Sequence, residues 1–375
     1  MDRWISENRL AIMFKFIIKI QPLGLMYGSA GAFLSPENLV GRSGAKFPPD
    51  APALSGLFFS TNKDQKFISH EELRDKLHIA GPFWAMADSP EYFYVPMPRH
   101  KVIHPETSDQ WIINSSYKWC LKSKDGNQDS DEEEVSNQVE SEYRWLKIDY
   151  WDDEPEDILQ ARSANPPSVA EKCWEYVSML HPQMQKEQRH VLPEKGLFLE
   201  NAVQMHDETC LVYLSTYELP DGWYQFGGEG HMVEISSIPL EEGSPILKYL
   251  RIPIQKTFAL ITPAVWGSHQ FSYRYPKYPD FARDYNKIKL LTDKAVPYRY
   301  RMGYRDPDKA DNPRATRLSR GRYAVPAGSV YVLKEPLNKS WEDFPEAWFP
   351  EKGLLKKFGC GLCLPIEEKE LMTNV

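Results

Sequence analysis

Phe226-Gly227-Gly228-Glu229-Gly230-His231 places three glycines in four positions and runs directly into an apolar stretch, Met232 to Ile235. A shortened copy, Phe358-Gly359-Cys360-Gly361, returns near the other end of the chain and runs into Leu362 to Ile366. Glycine has no Cβ, so a cluster of this kind opening a strand lets the backbone approach a ligand closely. Its appearance twice predicts two related halves and a chain that grips something extended by its backbone.

Outward from the first cluster, strands are expected at Leu197–Gln204, Leu211–Thr216, Trp223–Phe226 and His231–Ile235. From the second, Thr257–Thr262, Ser329–Leu333 and Leu362–Ile366 read as strands, with an aromatic helical patch around Trp341–Trp348. Towards the start, Phe14, Phe16, Ile18 and Ile20 alternate with Lys15, Ile17, Lys19 and Gln21, the pattern of a half-buried strand whose second face is wet or meets phosphate. Pro52 to Phe59 reads as helical, and Tyr92–Pro96 and Gln110–Trp119 as strands. Ser69 three residues before Glu72 opens a helix over His70–Ile79. Ser168 before Glu171 predicts another, with Ala170, Cys173, Trp174, Val177 and Leu180 on one stripe and Pro182 ending it. Strand, helix, glycine loop and strand recur in both halves. The expected fold is α+β: two ferredoxin-like (RRM-like) domains with glycine-rich loops, spanning 13–238 and 239–375 after an N-terminal extension at 1–12.

Thirty prolines and twenty-one glycines fit many turns and short strands. The formal net charge of −8 is unevenly spread. Residues 125–157 hold fourteen acidic side chains against Arg144 and Lys147, a net of −12, so the rest of the chain carries +4. That reads as a solvated, disordered acidic insertion at about 122–157 in a mildly basic body, which permits a nucleic-acid partner. Five scattered cysteines point to reduced thiols in the cytoplasm. Cys360 and Cys363 have the spacing of half a zinc site with no second pair, so no metal is expected. The apolar run Phe16–Met26 is interrupted by Lys19 and Gln21, and neither a signal peptide nor a membrane span is expected.

Three segments can carry chemistry. Gly41-Arg42-Ser43-Gly44-Ala45-Lys46 can offer backbone amides, Arg42 and Lys46 to a phosphate; the bland alternative is a structured surface loop, and the lysine of a nucleotide-binding P-loop is absent. Gly227, Gly228, Glu229, Gly230 and His231 admit a tight hairpin, a grip on an RNA backbone, or a metal-free ribonuclease site with His231 as general base. The main basic cluster holds Arg299, Arg301, Arg305, Lys309, Arg314, Arg317, Arg320 and Arg322 against three aspartates, a net of +5, interleaved with Tyr298, Tyr300, Tyr304 and Tyr323. Arginines among aromatics suit phosphate contact and base stacking; a solvated loop is the plain alternative. Hydrolase and metalloprotease signatures are absent, and no cofactor is expected.

Longer phrases carry a family resemblance. They include Pro22-Leu23-Gly24-Leu25-Met26-Tyr27-Gly28, Phe33 to Gly44, Ala80-Gly81-Pro82-Phe83-Trp84 and Leu199 to His206. Gly227 to His231, Ile261-Thr262-Pro263-Ala264-Val265-Trp266-Gly267-Ser268 and Arg320 to Gly328 belong to the same set. In this order, from about Phe14 to Pro365, they resemble the third subunit of the Cmr module, a RAMP-superfamily protein of type III-B CRISPR–Cas systems. The resemblance implies two ferredoxin-like domains and a non-catalytic subunit that holds the 5′ tag of the CRISPR RNA. It also implies docking against the large polymerase/cyclase-type subunit and the neighbouring backbone RAMP subunit, with target RNA met only indirectly. The family's glycine loops map onto Gly227, Gly228, Gly230, Gly359 and Gly361. Cys360 and Cys363 stand where small or apolar residues are expected, which favours packing over contact in the second loop.

Overall fold

A computed structural model of the chain describes residues 14–26, 47–124, 140–182, 190–191, 197–227, 230–268, 270–302 and 317–371. The first strand, β1 (Phe16–Pro22), follows the alternation of its sequence, but both of its faces are covered. Ile17 enters one core layer, Ile18 and Ile20 the other, and the Lys19 amine donates to the Ala87 carbonyl at 3.3 Å. Helix α1 (Ala51–Gln65) carries Pro52 in its first turn, closes on Lys66 in the left-handed conformation, and buries Ala51, Leu54, Phe58, Thr61 and Asn62 as one stripe. Helix α2 (His70–Lys76) starts at Ser69, whose hydroxyl oxygen accepts from the Glu72 amide at 3.2 Å.

Strands β2 (Ile79–Met86), β3 (Tyr94–Pro96), β4 (Lys101–Ile103), β5 (Ser108–Ile113), β6 (Trp119–Leu121) and β7 (Trp145–Lys147) follow. After α3 (Pro155–Gln160) come β8 (Val169–Ala170), β9 (Trp174–Pro182), β10 (Leu197–Met205), β11 (Thr209–Ser215), β12 (Gly222–Phe226) and β13 (His231–Pro239). An eight-stranded sheet runs β12-β13-β1-β11-β2-β3-β7-β8 with antiparallel pairing throughout. The second half comprises α4 (Pro245–Arg251), β14 (Thr257–Leu260), β15 (Trp266–Gly267), β16 (Ser272–Tyr273), β17 (Lys289–Leu291), β18 (Val296–Tyr298) and β19 (Arg301–Met302). It continues through β20 (Arg317–Leu318), β21 (Arg322–Ala324), β22 (Val330–Val332), α5 (Leu354–Lys357), β23 (Cys363–Pro365) and α6 (Glu368–Leu371). Its main sheet runs β17-β22-β14-β23, again antiparallel. The architecture is therefore mixed α/β with antiparallel sheets. In each half the four central strands lie in the order fourth, first, third, second along the chain: β13-β1-β11-β2 and β23-β14-β22-β17.

The two halves share a core. One face of the large sheet, with Ile17, Ala80, Phe83, Val212 and Leu214, packs into the same apolar cluster as Phe258, Val265, Tyr331, Trp341 and Leu362 of the second half. The other face packs beneath α1 and α2.

Two expectations are corrected. The segment after Ser168 is not a helix: Trp174 to Pro182 pairs residue for residue with Leu197 to Met205, and the buried Ser168 hydroxyl donates to the Ile158 carbonyl at 2.7 Å instead of capping. A distant partner strand overrides a local start signal. The acidic segment is also only partly an insertion. Residues 125–139 lie outside those described, but from Glu140 the chain supplies β7 and α3 and buries Leu146, Ile148, Trp151 and Ile158 in the shared core. The acids of this stretch sit at exposed or half-buried positions, so its charge and its burial coexist.

A buried polar cluster joins that segment to the last helix. The Lys101 amine donates to the carbonyls of Trp151 at 2.8 Å and Asp153 at 2.5 Å and lies 3.5 Å from the Glu370 carboxylate. His100, fully buried, lies 3.6 Å from the same carboxylate. Burial pushes the His100 imidazole down to about 4. Burial opposes ionisation of Glu370 as well, but the adjacent His100 and the charge of Lys101 hold its carboxyl below the usual range.

Candidate nucleic-acid interface

The first glycine cluster is the turn of the β12–β13 hairpin. Phe226 and His231 face each other in register, and Phe226 is buried as the anchor beneath them. Gly227 and Gly230 adopt φ of 83° and 69°, values that favour glycine. A Cβ at Gly230 would find room, the Gln225 side chain standing 3.5 Å away, so the glycine there answers a backbone need rather than a packing one. Gly228 and Glu229 lie outside the described residues. The hairpin is the tight turn that sequence admits, and β12 is the edge strand of the large sheet, so its turn stands at a margin of the molecule. On the face opposite Phe226, Val233 and Ile235, Trp223, Met232 and Leu23 are exposed in neighbouring rows of β12, β13 and the end of β1. Composition gave no sign of them; only the pleat shows which way they point.

The second cluster turns inward. A Cβ at Gly359 would overlap Ala80 on β2, and one at Gly361 would stand 2.7 Å from the Trp266 ring. Its amides are consumed within the protein: Gly359 donates to Lys356 at 2.9 Å, Cys360 to Leu355 at 3.1 Å, Gly361 to Pro263 at 2.9 Å, and Leu362 to the Thr262 hydroxyl at 2.8 Å. Cys360 is buried, its sulfur accepts from the Val265 amide, and burial pushes its thiol up to about 12. Gly359 thus lets the second half pack closely on β2 of the first, Gly361 makes room for the Trp266 ring within the second half, and the pairing of twin loops on one extended ligand is not what the fold provides.

The basic segment is a ribbon. Strands β18 and β21 pair, then β19 and β20. Arg301 and Arg320 are exposed on it. Arg299 is half-buried and its Nε donates to the Ser319 carbonyl at 2.8 Å. Arg317 enters β20 through its backbone, and Arg305 lies outside the described residues. Arg322 differs from its neighbours: only 4% of its side chain is exposed, and its guanidinium meets the Glu351 carboxylate at 2.6 Å. The Tyr300 hydroxyl donates to that carboxylate from the other side. Arg322 is therefore part of the interior and does not face a phosphate. Arg42, Ser43, Gly44 and Lys46 lie outside the described residues.

One cleft, about 100 Å³, is lined by Arg99, Lys101, Trp111, Glu140, Tyr143 and Arg144 among others. A small-molecule site commonly needs roughly 300 Å³ or more. Its arginines are also spent on protein carboxylates: Arg99 on Asp293 at 2.8 Å and Arg144 on Glu140 at 3.4 Å. Among the described residues no group of three or more His, Cys, Asp or Glu side chains is placed to hold a metal ion, and no helix is long and apolar enough to cross a membrane.

A family model described as CRISPR-associated protein (Cas_Cmr3) matches residues 58–368. No sequence among the curated proteins matches the chain. Among solved structures, a chain of a type III-B Cmr-beta complex bound to cognate target RNA is similar over 84% of this chain and 86% of its own, at 10% identity and a TM-score of 0.44. A chain of a Csm1-Csm4 cassette in complex with pppApA is similar over 86% and 87%, at 11% identity and a TM-score of 0.33. A chain of a Csm3-Csm4 subcomplex of the type III-A interference complex is similar over 87% and 94%, at 10% identity and a TM-score of 0.33.

Proposed function

The chain belongs to the Cas_Cmr3 family of CRISPR-associated proteins, and we propose that it serves as a non-catalytic, RNA-positioning subunit of a type III-B CRISPR effector complex. In this reading it holds the 5′ tag of the CRISPR RNA and docks the large polymerase/cyclase-type subunit onto the backbone RAMP subunits. We read each half as a ferredoxin-like unit that has kept one of its two helices. The shared strand order supports this, with α1 and α2 following the first strand of one half and α5 preceding the fourth strand of the other.

The observation that carries the RNA reading is the arginine ribbon, which displays Arg301 and Arg320 outward while Arg322 beneath it neutralises Glu351. Exposed guanidiniums on a pinned ribbon fix an RNA by its phosphates, which sets register without reading sequence. The Gly227–His231 turn and the Gly41–Lys46 loop supply further backbone contact in this proposal. Affinity purification of the tagged chain from cells carrying the whole complex, with sequencing of bound RNA and identification of bound proteins, tests it. CRISPR RNA and the large subunit are the expected companions; their absence defeats the reading. The rival, a metal-independent ribonuclease using His231, predicts cleavage of repeat RNA in EDTA that His231→Ala abolishes. Intact RNA in that assay is the outcome expected here.

A further inference from the structure

The hairpin β15–β16 and the adjoining strand β21 each leave an aromatic ring in water. Phe271 is 61% and Tyr323 57% exposed. The Tyr323 amide donates to the hydroxyl of Ser272, the residue next to Phe271, at 3.1 Å, so the two strands abut at this point. On β21, Arg322 and Ala324 are buried and Tyr323 between them faces out, as the pleat requires.

The exposure of Phe271 sits on a constructed turn. Its backbone amide donates to the Ser268 hydroxyl at 3.2 Å, and its carbonyl lies against Gly267, where a Cβ would overlap it and where φ is 110°. The turn is fixed while the ring is left out of the core. Cations are exposed close by along the chain: Arg274 and Lys277 follow Phe271, Arg320 precedes β21, Arg301 lies on the next rung of the ribbon in β19, and the Lys277 amine sits 4.1 Å above the Tyr273 ring.

We propose that Phe271 and Tyr323 form a stacking platform for the unpaired bases of an RNA strand whose phosphates lie along the neighbouring guanidiniums. Flat rings accept any base, and the cations beside them hold the backbone, which is the physical arrangement of single-strand recognition. The inference rests on the RNA-binding reading above; it adds Phe271 and singles out Tyr323 from the tyrosines of the basic segment.

The test uses the full chain and two fluorescent single-stranded oligoribonucleotides of one length, one bearing bases throughout and one carrying abasic positions, in anisotropy titrations over a range of salt. Phe271→Ala and Tyr323→Ala should each weaken binding of the base-bearing strand by roughly 5- to 150-fold, leave the salt dependence unchanged, and erase the preference over the abasic strand. Phe271→Trp should retain binding, and thermal melts identify any variant that has not folded. If both alanine variants bind like the parent while Arg320→Ala binds more weakly, the platform is refuted and the RNA reading stands. Loss of co-purification with the large subunit on Phe271→Ala, with RNA binding intact, refutes it in favour of a protein-docking face. Failure of the parent chain to bind either strand, alone and in the assembled complex, overturns both.

Discussion

His100 makes the stability of this protein acid-sensitive by an amount that can be worked out. Its imidazole is fully buried between Lys101 and Glu370, and burial lowers its pKa from the ordinary 6.5 to about 4. The folded protein then keeps His100 neutral at a pH where the unfolded chain protonates it. Stability from this group is present in full above 6.5 and is lost as pH falls towards 4. The two values give a loss of about 2 kcal/mol between about pH 7.5 and about pH 5. The lowered carboxyl of Glu370 acts in the same direction at lower pH. The two halves share one core, so unfolding of either removes the cluster. Urea denaturation of the parent and of His100→Gln, each at both pH values, measures the effect while cancelling the other eight histidines. The parent should lose about 2 kcal/mol more than the variant over that interval. Equal losses would show that His100 titrates normally and that the cluster does not exclude its proton.

Further expectations concern the glycines and the arginines. Gly359→Ala, which drives a Cβ into Ala80 at a φ of 62°, should destabilise by about 1–3 kcal/mol in thermal melts, whereas Gly230→Ala, with room for its methyl, should cost only about 1 kcal/mol of backbone strain. Arg322→Ala leaves Glu351 without its buried partner and should destabilise by about 3–5 kcal/mol, without changing the salt dependence of RNA binding. Arg301→Ala and Arg320→Ala, at exposed positions, should do the reverse, flattening the salt slope by about one unit each; an unchanged slope removes that arginine from the interface.

What the chain's own order of residues determined is substantial. Alternation placed β1, the strand segments expected around the first glycine cluster placed β10, β11 and β13, the Ser69 cap placed α2, and the recurrence of strand, helix and glycine loop led to two halves that do share a strand order. Family phrases from Pro22 to Gly328 pointed to the CRISPR-associated family that the chain belongs to, whose model matches residues 58–368. These features are local, and local backbone preference or a contiguous motif is enough to reveal them. Tertiary structure alone decided the rest. It turned the segment after Ser168 into a strand by supplying Leu197–Met205 as a partner, and it drew Leu146, Trp151 and Ile158 into the core despite the acids around them. It also separated two similar glycine loops, one at the margin of a sheet and one pressed against Ala80, and it hid Arg322 while leaving Arg301 and Arg320 outside. Burial is a property of what lies across from a residue in space, and neither composition nor spacing along the chain records that neighbour.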